Sequence, residues 1–153
     1  MTSQKAMGKF DDLIDCLPHE PPALYVDEIV ELVPGQSIKG AVTFSEGHRV
    51  FEGHLPGEPI VPGVILIEAM AQIAGLTLVA QSGGKRQAIR GYLAEVKHMR
   101  FRRPVGPDDR VEIHATLERQ FGPTSRFVTE ARVDGNIVAE GELTVVGQVA
   151  ESD

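Results

Sequence analysis

The stretch VPGVILIEAMAQIAGLTLVAQSGG, residues 61–84, decides how this chain is read. From Pro62 to Ala80 it is apolar with few interruptions; Pro62 suits a first helical turn, and Ser82-Gly83-Gly84 supplies the stop. A helix is predicted over residues 62–80. Its length is that of a short membrane span, but Glu68 and Gln72 interrupt it and the flanking chain reads as globular, so a buried helix is expected, with no membrane insertion. A helix apolar on nearly every side must be covered all round. A carboxylate in such a setting is costly unless something needs it, and Glu68 is such a carboxylate.

Upstream lies a loop over residues 47–61, dense in Gly and Pro, and before it two β-type runs, ALYVDEIVELV and SIKGAVTFS, separated by the turn Pro34-Gly35-Gln36. A short amphipathic helix at about residues 7–16, with Phe10, Leu13 and Ile14 on one face, is ended by LPHEPP. Downstream, strands are predicted over residues 89–101, 110–121, 126–133 and 137–146, with FGPTS and VDGN as hairpin signals and a frayed tail at about 148–153. Strands, one long helix and then a meander predict a single α+β domain over residues 1–153: a curved antiparallel sheet wrapped around one long central helix. A second subunit or the N-terminal segment must close the helix's remaining side.

Composition narrows the function. The chain has 153 residues and a net charge of −7, which disfavours general nucleic-acid binding. The single cysteine, Cys16, allows no intrachain disulfide and no cysteine-based metal site, and is read as a small buried residue in a reducing compartment. The first twenty residues carry no apolar signal region, so a cytoplasmic protein is expected. His48, His98 and His114 are read as structural or exposed, and their spacing suggests no metal site.

The chemistry gathers around the helix. Glu68 and Gln72 are four residues apart and share a face. Helical side chains lean toward the N-terminus, so the Glu68 carboxyl is expected to reach back toward the turn at Pro62-Gly63. The free N–H groups there carry the positive end of the helix dipole, and Gly63 lets a carbonyl oxygen approach closely. His54, on the preceding loop, is an apt proton acceptor near neutral pH. A base, an acid whose pKa burial raises, and an oxyanion donor are the parts needed to remove a proton beside a carbonyl and eject hydroxide as water. The plainer alternatives are a salt-bridged core glutamate and a loop histidine; Gln72 joins the polar cluster or faces a strand, and His19 fixes a turn.

The segments LPH…P…L.VD…ELVPG, F..GHLPGEPIVPGVILIEAMAQ.AG, RFRRPVGPDD and VDGNIVAEGEL resemble the FabZ-type β-hydroxyacyl-acyl carrier protein dehydratases, over roughly residues 17–146; the family also has a histidine at the position of His19. The resemblance implies a hot-dog fold and a lyase that turns (3R)-3-hydroxyacyl thioesters on acyl carrier protein into trans-2-enoyl thioesters, without metal or organic cofactor. It makes His54 and Glu68 catalytic and puts the thioester oxygen on the Gly63 N–H; Gln72, on the same helix face as Glu68, is read as a further substrate-binding residue. It also implies a homodimer whose active sites are shared, commonly assembled as a trimer of dimers, with the phosphopantetheine arm supplied by the carrier. Glu68, where the isomerising branch has aspartate, points to dehydration alone. Arg100, Arg102, Arg119 and Arg126 are candidates for docking the acidic carrier, with a solvated strand face as the alternative. Leu55 replaces a usual phenylalanine, and Glu20-Pro21-Pro22-Ala23 replaces Arg-Tyr-Pro-Phe. Other hot-dog enzymes, an acyl thioesterase or a CoA-linked hydratase, and a non-catalytic partner subunit are the competing readings.

Overall fold

A computed structural model describes residues 10–53, 57–83 and 89–149. Helix α1 (Asp11–Ile14) leads into strands β1 (Glu28–Val33) and β2 (Ser37–Thr43). The long helix α2 (Gly63–Gln81) follows, then β3 (Ile89–Phe101), β4 (Arg110–Phe121), β5 (Thr124–Val133) and β6 (Asn136–Val149). All strand pairs are antiparallel, in the order β1-β2-β4-β5-β6-β3. This is the expected hot-dog architecture, one sheet against one long helix. The predicted limits of β3 and β4 hold, and β6 runs to Val149 where Val146 was expected.

The core follows from alternation. Val111, Ile113 and Ala115 of β4 and Phe127 and Ala131 of β5 point inward, every second residue, as the period of a strand demands. Against them lie Leu66, Met70, Ile73 and Leu76 of α2, each at most 2% exposed. By length and composition α2 could cross a membrane, yet ten of its nineteen residues are buried inside this fold. The face left open carries Val64 and the partly buried Ile67, Ala71 and Gly75. Cys16 is not fully buried as expected; its thiol donates to the Asp12 carbonyl at 3.3 Å.

Three local departures have physical causes. Residues 23–27 were expected to extend the first strand, but the Tyr25 N–H donates to the Gln72 side chain at 2.8 Å, which draws residues 23–25 onto the helix, while the Asp27 N–H still donates to the Ala41 carbonyl of β2 at 2.9 Å. The Gly/Pro-rich loop contains a 3-10 turn, Arg49–Phe51, capped by His48, whose Nδ1 accepts from the Val50 N–H at 3.1 Å. Strand β3 bulges where Lys97 pairs with Glu142 and Arg100 with Glu140, leaving His98 and Met99 opposite Gly141. His98 takes a positive φ of 54° there, and the two-residue alternation of a regular strand is broken.

The bulge explains Gly141. A Cβ at this position would stand 2.7 Å from the Met99 Cα and 2.9 Å from its Cε. The side chain could swing away; the backbone cannot without undoing the bulge. Gly141→Ala is therefore expected to cost about 1–3 kcal/mol, the range for overpacking. Urea unfolding measures it, and a variant as stable as the parent would mean that β3 and β6 are farther apart than described.

Candidate functional site

Glu68 projects from the second turn of α2 into a cavity of about 270 Å³ whose walls include Leu17, Ala71, Leu78, Tyr92 and Val145. Its carboxyl does not reach back to the Pro62-Gly63 turn. Oε1 lies 3.3 Å from Nε2 of His19 and accepts from Nε2 of Gln72 at 3.1 Å. Gln72 is 3% exposed; its amide also donates to the Ala23 carbonyl and accepts from the Tyr25 N–H, both at 2.8 Å. The amide thus staples residues 23–25 to the helix, and His19 on the same loop is brought onto the carboxylate. Oε2 has no partner among the described residues.

The electrostatics differ from the expectation. Burial does push the Glu68 pKa up, but the hydrogen bond from His19 outweighs it, with help from Gln72 and from the charge of His19, and the carboxyl lies below its ordinary 4.5. Glu68 is therefore a carboxylate near neutral pH. A depressed folded-state pKa gives stability above the unfolded value that is lost as pH falls through the folded one, so the Glu68 side of this clamp is lost in acid. His19, read from sequence as a turn residue at a position where the resembling family also has a histidine, is the candidate whose contact with Glu68 the sequence reading missed.

The other candidates separate. Five residues of helix turn through about 500°, so Gly63 and Glu68 lie roughly 140° apart around α2. Among the described residues they line different cavities; that of Gly63 is formed with Ile60, Phe101, Arg102 and Arg103. Pro62 occupies the N-cap position and its carbonyl accepts from Ile65 and Leu66, while no acceptor among the described residues meets the Gly63 N–H. The room left by the missing side chain is taken by Phe101, whose Cζ would stand 2.9 Å from a Cβ on Gly63. His54 lies outside the described residues.

The four arginines form two groups. Arg100 pairs in register with Glu140, and Arg102 holds the same Glu140 through an ion pair of 3.1 Å. Arg119 and Arg126 face each other across β4 and β5 without an ion pair among the described residues. They flank a cavity of about 290 Å³ together with Phe121, which is 77% exposed. On β6 the partners of the two groups, Glu140 and Thr144, are four residues or about 13 Å apart.

A model of the FabA-like domain matches residues 17–142. The 3-hydroxyacyl-[acyl-carrier-protein] dehydratase FabZ of Sinorhizobium medicae is 42% identical, covering 86% of this chain and 84% of that protein. The FabZ of Acidiphilium cryptum is 40% identical over 91% and 86%, and that of Rickettsia bellii 37% over 88% and 92%. The chain belongs to the FabZ-type dehydratase family. Solved structures of lower identity share the fold: the dehydratase heterocomplex ApeI:P of Xenorhabdus doucetiae has a TM-score of 0.72 at 20% identity, covering 90% of this chain and 91% of its own. A hypothetical thioesterase of Streptococcus pneumoniae with coenzyme A has 0.62 at 14%, covering 82% and 88%. Fold alone therefore does not separate dehydration from thioester hydrolysis; the close relatives do.

Proposed function

We infer that this chain is a lyase that dehydrates 3-hydroxyacyl thioesters on acyl carrier protein in fatty-acid biosynthesis. The observation that carries this reading is the identity to FabZ dehydratases over most of both chains. In the proposed reaction His54 takes the proton from the α-carbon of the (3R)-substrate. The Gly63 N–H stabilises the thioester oxygen as charge develops on it. Glu68 delivers a proton through Oε2 to the hydroxyl on the β-carbon, which leaves as water and yields the trans-2-enoyl product. Gln72 keeps Glu68 at the substrate. The apolar walls of the Glu68 cavity suit an acyl chain, and α2 gives them length. Loss of one water from a 3-hydroxyacyl carrier substrate, read by mass, tests the reading; release of free acid would replace it with a thioesterase.

The same reading calls for a second copy of the chain. Gly63 and Glu68 face different sides of α2, so a site that uses both is completed across an interface. Support comes from β3, a thirteen-residue strand at the open edge of the sheet, with Tyr92 65% and Phe101 49% exposed. A two-fold axis beside this edge would pair β3 with its copy and bring His54 and Gly63 of one protomer to Glu68 of the other. Three such dimers make the hexamer that the family resemblance implies, working in the cytoplasm.

For the carrier, Arg119 and Arg126 are the better docking candidates, since Arg100 and Arg102 share Glu140. Two facing arginines repel each other unless an anion sits between them. Arg126→Glu is expected to slow turnover of carrier-bound substrate about tenfold at low salt, and to leave a short pantetheine thioester unaffected. Equal slowing of both substrates would remove this surface from docking.

A further inference from the structure

The dehydration reading leaves one proton without a source. Glu68 must give a proton to the leaving hydroxyl, yet the hydrogen bond from His19 keeps it ionised. We propose that His19 is a positioning residue for this reaction, clamping Oε1 of Glu68 so that Oε2 is left to the substrate and resupplying the proton that Glu68 hands on. The proposal rests on the dehydratase reading and deepens it.

Among the described residues the geometry favours His19 over the other groups near the carboxylate. Its Nε2 lies 3.3 Å from Oε1. Gln72, the second donor to Oε1, has no proton to lose. On β3, Tyr92 lines the same cavity and is its other titratable residue; the β6 contribution, Val145, is apolar. Asp12 and Asp15, around α1, and Glu20 are exposed. The Tyr25 ring turns the other way, packing on Phe44 and His48 with centroids 5.8 and 6.3 Å away. Nδ1 of His19 is buried and meets no acceptor among the described residues, so the polar contact that orients the ring is the one from Nε2 to Oε1 of Glu68.

The protons balance. The α-carbon–hydrogen bond breaks and its proton goes to His54, while its electron pair forms the new double bond. The bond from the β-carbon to oxygen breaks, and the departing hydroxide takes a proton from the Glu68 carboxyl to leave as water. That carboxyl has drawn its proton from the His19 imidazolium across the Nε2–Oε1 contact and turns about its Cγ–Cδ bond, so that the protonated oxygen moves from His19 to the substrate and the other oxygen takes its place at the clamp. His54 then returns one proton to solvent and His19 takes one up, which restores the starting state.

The test is the pH dependence of kcat and kcat/KM for a short 3-hydroxyacyl pantetheine thioester, with native protein, His19→Ala and His19→Gln. The alanine variant is expected to lose about 10–100-fold in kcat, the value of a hydrogen bond to a charged group. Glutamine restores an N–H donor to Oε1 but carries no proton to give. It should recover part of the loss at acid pH, with an alkaline limb at lower pH than the native one, because a carboxyl alone gives up its proton before an imidazole does. A glutamine variant whose profile keeps the native shape would overturn the proton-supply role, and a fully active alanine variant would overturn the whole proposal. Native protein that forms no enoyl product would instead sink the dehydratase reading, a distinguishable failure.

Discussion

Replacing His54 by alanine is expected to lower kcat/KM for dehydration by about 10²–10⁴-fold, the usual contribution of a general base. The effect should fall on the chemical step, because His54 is the group proposed to take the α-proton. Glu68 is already ionised, but its Oε1 is occupied by His19 and Gln72, and its role lies at the β-carbon. The sequence puts His54 in a stretch dense in Gly and Pro, a composition that contributes little to a core, so the variant is expected to unfold at the same urea concentration as the parent. That separates it from Gly141→Ala, which should lose stability and keep its turnover per folded molecule. Near-native turnover by the His54 variant would remove this residue from the mechanism.

The fold was legible where local chemistry and tertiary demand agree. Residues 62–80 read as a helix because an apolar run between Pro62 and Ser82-Gly83 allows little else, and α2 covers 63–81. β3 and β4 were read to their ends because alternation is bounded by Arg103-Pro104 and Gly122-Pro123. What was missed depends on distant partners. Residues 23–27 have strand chemistry, but Gln72, some 47 positions away, binds the Tyr25 N–H. The bulge at His98–Met99 is set by Gly141 on another strand. The site shows the same division. Glu68 stood out because a carboxylate in an apolar helix is conspicuous; the His19 contact carries no spacing signal, since it depends on a loop stapled by Gln72. The expected rise in the Glu68 pKa failed for that reason. Burial was legible from sequence, and the donor that outweighs it was not.

Mixing two inactive variants is expected to restore activity, and the size of the recovery tests the shared site. Glu68→Gln removes the carboxylate while keeping an oxygen that can accept from Gln72, so the loop and helix should stay joined. Chains carrying His54→Ala and chains carrying Glu68→Gln are dissociated, combined and reassembled. In a mixed dimer one site unites the intact His54 of one protomer with the intact Glu68 of the other, and the second site lacks both. Random pairing makes half of the dimers mixed, so about a quarter of all sites should recover. The separation of the two residues gives this result its force: among the described residues Gly63 and Glu68 line different cavities, which a second protomer is proposed to bring together. If His54 and Glu68 instead came from the same chain, every protomer in the mixture would lack one of them and no pairing could help. Absence of recovery, with subunit exchange confirmed by mass, would rule out the shared site and with it the placement of the two-fold axis beside β3.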